Sequence, residues 1–367
     1  MLNSKSIKYA YNDVSIAPSV ISAISSRREC NPYDENGFLP IFTAPMTNVV
    51  DMKSAEEFES NRIYSILPRN ISLEKRLDYA RITKRWIAVS LAEFEENFLT
   101  MREDNKGLKI LIDIANGHMQ KLYELTTQSK KIYGSDIKIM IGNIANPETY
   151  KYAISSGADF VRCSIGSGCV CSTSSNTAIH YPMVSLIDEI KKIKQKYAEA
   201  FGIDQDALPK IIADGGIRNF SDVIKALAVG ADYVMIGGLL GSLLGSAGEL
   251  RDLDAANQIP SLEEINRQDV VYQEGKFFHL GKEVNLHKLF YGMASRKGQE
   301  DLNGAKTKTS EGLIKWVKMK HTISGWTENM TDYLKSAMSY TNSKTLSDLG
   351  KAEVILISQA TKSSINL

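Results

Sequence analysis

Residues Lys210–Gly238 read KIIADGGIRNFSDVIKALAVGADYVMIGG. Two strand-length apolar runs, Lys210–Ile217 and Tyr233–Gly238, flank an amphipathic, helix-length stretch from Ser221 to Val229. That order is a β-α-β unit, and each run ends in residues that favour turns or polar chemistry, Asp214-Gly215-Gly216 and Gly237-Gly238.

The same alternation extends towards the N-terminus. Six more short, β-rich runs precede it: Leu39–Met46, Ile63–Pro68, Arg85–Leu91, Lys109–Asn116, Lys138–Ile144 and Phe160–Ile165. Between them lie helix-length stretches such as Met52–Arg62, Leu73–Ile82, Met119–Tyr133, Glu148–Ser156 and Met183–Phe201. Eight β-α units in about 200 residues predict an α/β fold of the (β/α)8 TIM-barrel type rather than an open sheet. The reading is one domain over residues 1–367, with a barrel core at 39–240 and an elaborated lid at 241–320. A β-hairpin is expected in the lid around Gln273–Glu283, turning at Glu274-Gly275. A return segment at 321–367, with helix YLKSAMSY and the β-like run EVILIS, packs back on the barrel.

Composition narrows the function classes. The 367 residues carry 44 Lys plus Arg against 43 Asp plus Glu, a formal charge of +1. No global field attracts nucleic acid or anionic membrane, so neither is an expected partner. The most apolar stretch, Ala226–Ala247, contains Asp232 and several glycines and reads as buried strand and loop rather than a membrane span. The start, MLNSKSIKYAYNDVS, lacks the features of a secretory signal, which predicts a cytoplasmic protein. Cys30, Cys163, Cys169 and Cys171 form no zinc pattern and suit a reducing compartment.

In a TIM barrel the chemistry sits at the C-terminal ends of the strands, so Asp113, Asn116, Asn143, the segment after Ile165, Asp214 and Gly237 should converge on one mouth. Any one of them alone would read as a turn residue. The segment Gly166-Ser167-Gly168-Cys169-Val170-Cys171-Ser172-Thr173 follows a strand directly, and its glycines let the backbone approach an ion closely. Cys171 is the better nucleophile, lying deepest in a polar loop whose amides can stabilise a thiolate. Cys163 reads as packing, and Cys169 is ambiguous. The carbonyls of Gly166, Gly168 and Cys171 are candidate ligands for a monovalent cation such as K+. Gly215, Gly216, Gly237 and Gly238 follow the seventh and eighth strands, where barrels often cradle phosphate, and Asp214 can accept from a ribose. Tyr291-Gly292-Met293-Ala294-Ser295 is a further glycine-bearing turn.

These residues carry a resemblance. Through YNDVSIAP, TAPM, ILPR, IDIANG, IGNI, SGADFVRCSIGSGCVCST, IADGGI, GADYVMIGG, LFYGMAS and SEG, in order and spacing, the chain resembles the IMP dehydrogenase and GMP reductase family over nearly its whole length. The resemblance implies a homotetrameric (β/α)8 barrel acting on a purine nucleoside monophosphate. In it Cys171 bonds covalently to purine C2, and Thr173 with Glu311 occupy the positions of a proton-relaying Thr-Glu pair. Gly168, Cys169, Asp214, Gly215, Gly216, Gly237, Gly238 and Tyr291 through Ser295 fall to the substrate, and Asp113, Asn116 and Gly117 to the NADPH cofactor.

Within the family the chain resembles the reductases. ISLEKRLDYARITKRW passes straight into IAVSLAEF with no regulatory CBS insert, and Asp113–Gly117 and Gly237-Gly238 are similar to the reductase versions. The flap stretch RKGQEDLNGAKTKTSEG lacks the tyrosine of the dehydrogenases' water-activating Arg-Tyr pair. The expected reaction is NADPH-dependent deamination of GMP to IMP. The alternatives are an IMP dehydrogenase without the regulatory domain, a relative acting on a deoxy or modified guanylate, and a nucleotide sensor that has lost the chemistry. They are kept open by departures from the pattern: Cys169 for a phosphate-binding Ser, Ser172 for Thr, Ser174 for Arg, and Thr47 for an Asp.

Overall fold

A computed structural model describes residues 7–253, 260–261, 263–305, 309–358 and 361. All eight expected strands are present: Ile41–Thr43, Ile66–Leu67, Trp86–Val89, Lys109–Ile112, Lys138–Ile144, Phe160–Cys163, Lys210–Asp214 and Tyr233–Ile236. Each pairs in parallel with the next, and the first pairs with the eighth, Ile41 opposite Val234. Between the first and second strands the seam narrows to one parallel bridge, Phe42 to Tyr64. Two backbone hydrogen bonds hold it, Thr43 N to Tyr64 O (2.8 Å) and Tyr64 N to Ile41 O (3.0 Å). The sheet is thus a nearly closed barrel.

The two-residue period of the strands divides the core. Ile41, Ile110, Ile112, Ile139, Ile141, Ile211 and Val234 face the helices, while Phe42, Leu111, Met140, Ile212 and Tyr233 fill the barrel. Aromatic rings plug its lower half, with Phe42 stacked on Tyr64 at 4.8 Å and Trp86 edge-on to Phe160 at 5.1 Å. The Tyr64 and Tyr233 hydroxyls both donate to Asp34, at 2.6 and 3.0 Å, so neither is buried unpaired.

Helices Met52–Ser60, Leu73–Thr83, Leu91–Asn97, Gln120–Tyr133, Tyr150–Ser156, Met183–Phe201 and Phe220–Val229 follow the first seven strands. Local sequence sets their ends: the Asn219 side chain caps Asp222 N (3.0 Å), and Gly202 closes Met183–Phe201 at φ 62°. Leu73–Thr83 leads directly into the third strand, with no inserted domain between them. The eighth helix is delayed until Ile323–Tyr340, earlier and longer than YLKSAMSY alone, and Trp326 stacks on Phe220 at 5.4 Å. The EVILIS run forms strand Val354–Leu356, antiparallel to Val14–Ile16.

The lid is more regular than its loose pattern suggested. Leu250–Asp252, Leu286–Tyr291 and Ile314–Lys318 form one antiparallel sheet. Val270–Gln273, Lys276–His279 and Lys282–Val284 form a second. The expected turn falls at Glu274 (φ 50°) and Gly275 (φ 80°), as a tight hairpin requires, and Leu280-Gly281 repeats it. Leu250, Ile265, Phe277 and Leu286 give the lid its own apolar cluster. Among the described residues no helix is long and apolar enough to cross a membrane.

Candidate active site

The sixth strand ends at Cys163, buried as expected, and the chain turns through Ser164 (φ 156°) and Gly166 (φ 76°) into the loop that carries Cys171. At Gly166 a side chain would meet Ser174, its Cβ only 2.8 Å from that of Ser174, so the turn is open to glycine alone. The Cys171 amide donates to Gly168 O at 3.0 Å, and Val170 is buried beneath the loop. The Cys171 thiol is half-buried and donates to Thr173 Oγ1 at 3.2 Å. Thr173 Oγ1 in turn donates to Glu311 Oε2 at 2.9 Å. The three residues therefore form one continuous hydrogen-bonded chain from sulfur to carboxylate.

Glu311 comes from the lid, and backbone bonds hold it against the loop. Ser172 N donates to Glu311 O (3.1 Å), Leu313 N to Val170 O (2.9 Å), and Glu311 N to Ala294 O (3.0 Å). Cys171 and Gly312 form an antiparallel bridge. A Cβ on Gly292 would lie 3.0 Å from Val170 O, and one on Gly312 2.8 Å from Ser295 N, so glycine permits both close crossings. Tyr291, Gly292, Met293, Ala294 and Ser295 thus lie on the same side of the mouth as Cys171. Of the flap stretch, residues 306–308 lie outside the described residues.

The remaining glycine turns converge there too. A Cβ on Gly215 (φ 87°) would be 3.3 Å from Gly168 N, and one on Gly216 (φ 73°) 3.7 Å from Ser167 Cβ. Gly237 faces Met46 Sδ, and Gly238 faces Cys169 Sγ, whose would-be contact is 2.8 Å. Cys169 is exposed as a residue, yet its sulfur lies against Gly238, and burial there pushes the thiol pKa up despite nearby Lys315. The Ser167 hydroxyl beside this turn is buried without a partner among the described residues.

The sequence reading missed the group that joins the acidic strand ends. Arg162, 7% exposed, points from the sixth strand and donates through Nη1 to Asp113 Oδ1 (3.0 Å) and through Nε to Asp214 Oδ2 (3.0 Å). Arg69 Nε reaches Asp113 Oδ2 at 3.1 Å, and Asn143 Nδ2 reaches Asp214 Oδ2 at 2.6 Å. Burial opposes ionisation of Asp113, but Arg162 and Arg69 outweigh it and hold the carboxyl below its usual range. Burial likewise opposes the Arg162 charge, and Asp214 and Asp113 overcome it. A lone Arg inside the apolar run FVRCSI was the available signal, because such a residue is almost never buried unpaired.

Gly117 also fits the cluster, its amide donating to Asn143 O at 2.8 Å. Asn116 does not join it; its Oδ1 caps the His118 amide at 3.1 Å. Of the carbonyls considered for a monovalent cation, Gly166 O accepts the Ser174 hydroxyl (3.2 Å) and Gly168 O the Cys171 amide. No cluster of three or more His, Cys, Asp or Glu side chains among the described residues could hold a metal ion.

Comparison with known proteins gives the same direction. Residues 8–259 match the model of the IMP dehydrogenase / GMP reductase domain. The chain is similar to a GMP reductase of Staphylococcus carnosus, 28% identical over 95% of this chain and 96% of the relative. It is 27% identical to a GMP reductase of Caenorhabditis elegans over 88% of this chain and 82% of that one. It is 26% identical to GMP reductase 2 of Mus musculus over 94% and 92%. With the matched domain covering well over half its length, the chain belongs to the IMP dehydrogenase / GMP reductase family of NAD(P)-dependent purine nucleotide oxidoreductases.

Proposed function

We propose that this protein is a GMP reductase, converting GMP to IMP and ammonia with NADPH. The hydrogen-bonded chain Cys171–Thr173–Glu311 carries the reading. The thiol proton can pass to Thr173 Oγ1 as the threonine proton moves onto Glu311, leaving a thiolate to attack purine C2. Glu311 then holds the proton that the 2-amino group needs to leave as ammonia, and returns it through Thr173. The product of that step is a thioimidate on Cys171. NADPH supplies the hydride that reduces C2, and release of the Cys171 thiolate then gives IMP, so atoms and charge balance.

The surrounding residues fit the two ligands. Backbone amides at Gly216, Gly237 and Gly238, beside the unpartnered Ser167 hydroxyl, suit a phosphate, while the Gly215 amide is taken by Met235 O (3.3 Å) and that glycine shapes the turn. Gly168 and Cys169 border that phosphate, and Cys169 is a weaker donor than serine there. Both donors to Asp214 use Oδ2, which leaves Oδ1 for a ribose hydroxyl. Tyr291, Gly292, Met293, Ala294 and Ser295 face the purine. For the cofactor, Asp113 is an ionised acceptor, Gly117 leaves room beside the Asn143 backbone, and Asn116 keeps its amide donor free of the His118 cap. The Gly166, Gly168 and Cys171 carbonyls each retain a lone pair that K+ could use. We take the protein as one domain, working as a cytoplasmic homotetramer.

The test is absorbance. Purified protein with GMP should consume NADPH and release IMP and ammonia in equal amounts. Reduction of NAD by IMP with formation of XMP would instead make it a dehydrogenase, and nucleotide binding without turnover would make it a sensor.

A further inference from the structure

Thr47 stands where the resemblance leads one to expect an aspartate, and the structure brings a carboxylate to that place from elsewhere. Asp301 lies on the lid helix Arg296–Asn303, which follows the Tyr291–Ser295 turn. Its Oδ2 accepts the Thr47 hydroxyl at 3.0 Å and the Tyr291 hydroxyl as well. Its Oδ1 pairs with Lys297 Nζ at 3.1 Å. Thr47 Oγ1 is also 3.3 Å from Tyr291 Oη and 3.8 Å from Met293 Sδ. Asn48 secures the same residue from its backbone, donating to Tyr291 O at 2.8 Å. One carboxylate therefore joins the loop after the first strand to the turn that carries Tyr291 and Met293.

We propose that Asp301 is a positioning residue of the active site, a carboxylate supplied by the lid in place of one at position 47, which sets the Tyr291–Ser295 turn. The consequence reaches Cys171 through the backbone. Ala294 O in this turn accepts Glu311 N (3.0 Å), and Gln299, two residues before Asp301 on the same helix, donates Nε2 to Ala294 O at 3.0 Å. Shifting the turn therefore shifts Glu311 relative to Thr173. Burial and the Asp301 carboxylate both push the Tyr291 hydroxyl pKa up, so the tyrosine stays a donor at any working pH. Asp301 touches neither Cys171 nor Thr173, which makes its effect one of geometry.

The inference rests on the reductase reading for its kinetic readout only. The experiment is a carboxylate transfer, comparing Asp301→Asn, Thr47→Asp and the double variant Thr47→Asp/Asp301→Asn. Asp301→Asn keeps shape but loses the charged acceptor, and kcat with GMP should fall by about 10- to 100-fold, with KM rising by a smaller factor because the same turn faces the purine. Thr47→Asp alone places two carboxylates on one tyrosine hydroxyl and should also lose activity. The double variant restores one carboxylate to the site and should recover kcat to within about threefold of the parent. Limited trypsin digestion should follow the same order, with the two single variants cut faster and the double variant resistant. Unchanged kcat in Asp301→Asn, or a double variant no better than that single one, overturns the proposal. If the parent itself does not turn over GMP, the reductase reading fails. The digestion series then decides alone, and failure of the double variant to regain resistance rejects Asp301.

Discussion

Glu311 Oε2 accepts the Thr173 hydroxyl at 2.9 Å although 138 residues separate the two. The contact is made by a lid whose backbone is laced to the cysteine loop at Ser172, Val170 and Gly312. Docking of the lid and assembly of the proton path are therefore one event. An open lid would leave Cys171 with Thr173 but without the carboxylate.

The two loop thiols should separate cleanly. Cys171→Ala should reduce turnover to background while nucleotide affinity stays within about threefold, because the thiol makes the covalent bond and the glycine turns hold the phosphate. Cys169→Ser should retain activity and lower KM, since a hydroxyl donates more strongly beside Gly238. Steady-state kinetics with equilibrium binding reads both. Loss of activity in the Cys169 variant with survival in the Cys171 variant would reverse the assignment.

Acid should weaken the fold through Asp113. Its folded pKa lies below the unfolded value, so its contribution is fully present above about pH 4 and is lost as pH falls through the folded pKa. Asp113→Asn should destabilise the protein at neutral pH by about 1–3 kcal/mol, because Arg162 and Arg69 lose a charged partner. The difference from the parent should shrink as the pH drops below about 4. Denaturant melts at several pH values measure it, and a gap that widens in acid would contradict the role given to the two arginines.

Much of this architecture was legible in the sequence. The barrel strands are buried on both faces, so their apolar runs stand out, and all eight fell where LPIFTAPM through YVMIGG put them. The lid sheets were harder to read. Ile314–Lys318 is largely exposed and carries two lysines, and its partner Leu286–Tyr291 is far away in sequence, so no local period marks the pair. Glycine segments announced the mouth, because close backbone crossings leave a visible residue type. Arg162, Arg69 and Asp301 act by tertiary pairing with Asp113, Asp214, Thr47 and Tyr291, and only the oddity of an arginine within a strand hinted at any of them.

Lys288 carries a cost that can be removed. It lies wholly buried in lid strand Leu286–Tyr291, its Nζ donating to Ser246 Oγ, and burial with the nearby Arg267 charge pushes the amine pKa well down. Between the lowered folded pKa and the ordinary lysine value the unfolded chain binds more protons than the folded one, so stability should rise over that window as pH climbs towards about 10. Lys288→Met is similar in length and should remove that slope, stabilising the protein at pH 7 by about 1–3 kcal/mol. Melting temperature against pH for both proteins checks it. A parent profile that is flat or falls over this range would show that the amine is not held neutral.

The proton path makes its sharpest claim at Glu311, where departure of ammonia and transfer of hydride can be tested apart. The carboxyl proton is needed while the amine leaves and is not needed to move hydride at C2. Glu311→Gln keeps the shape and an oxygen to accept from Thr173, but it cannot relay a proton, so GMP turnover should slow by about 10²–10⁴-fold. The partial reaction runs the other way: with IMP and NADP, Cys171 adds to C2, hydride leaves to form NADPH, and the thioimidate is trapped because no ammonia is present. A rapid-mixing burst of NADPH in the Gln variant should reach the parent's amplitude at a rate lowered far less than full turnover. This direction needs the relay only to deprotonate the Cys171 thiol, which solvent can also do, and not to protonate a leaving amine. Since Glu311 also joins the loop through its backbone, which the substitution leaves intact, the lid should remain docked. Equal losses in the burst and in the full reaction would mean that Glu311 sets the lid or the hydride geometry, and the relay through Thr173 would have to be abandoned.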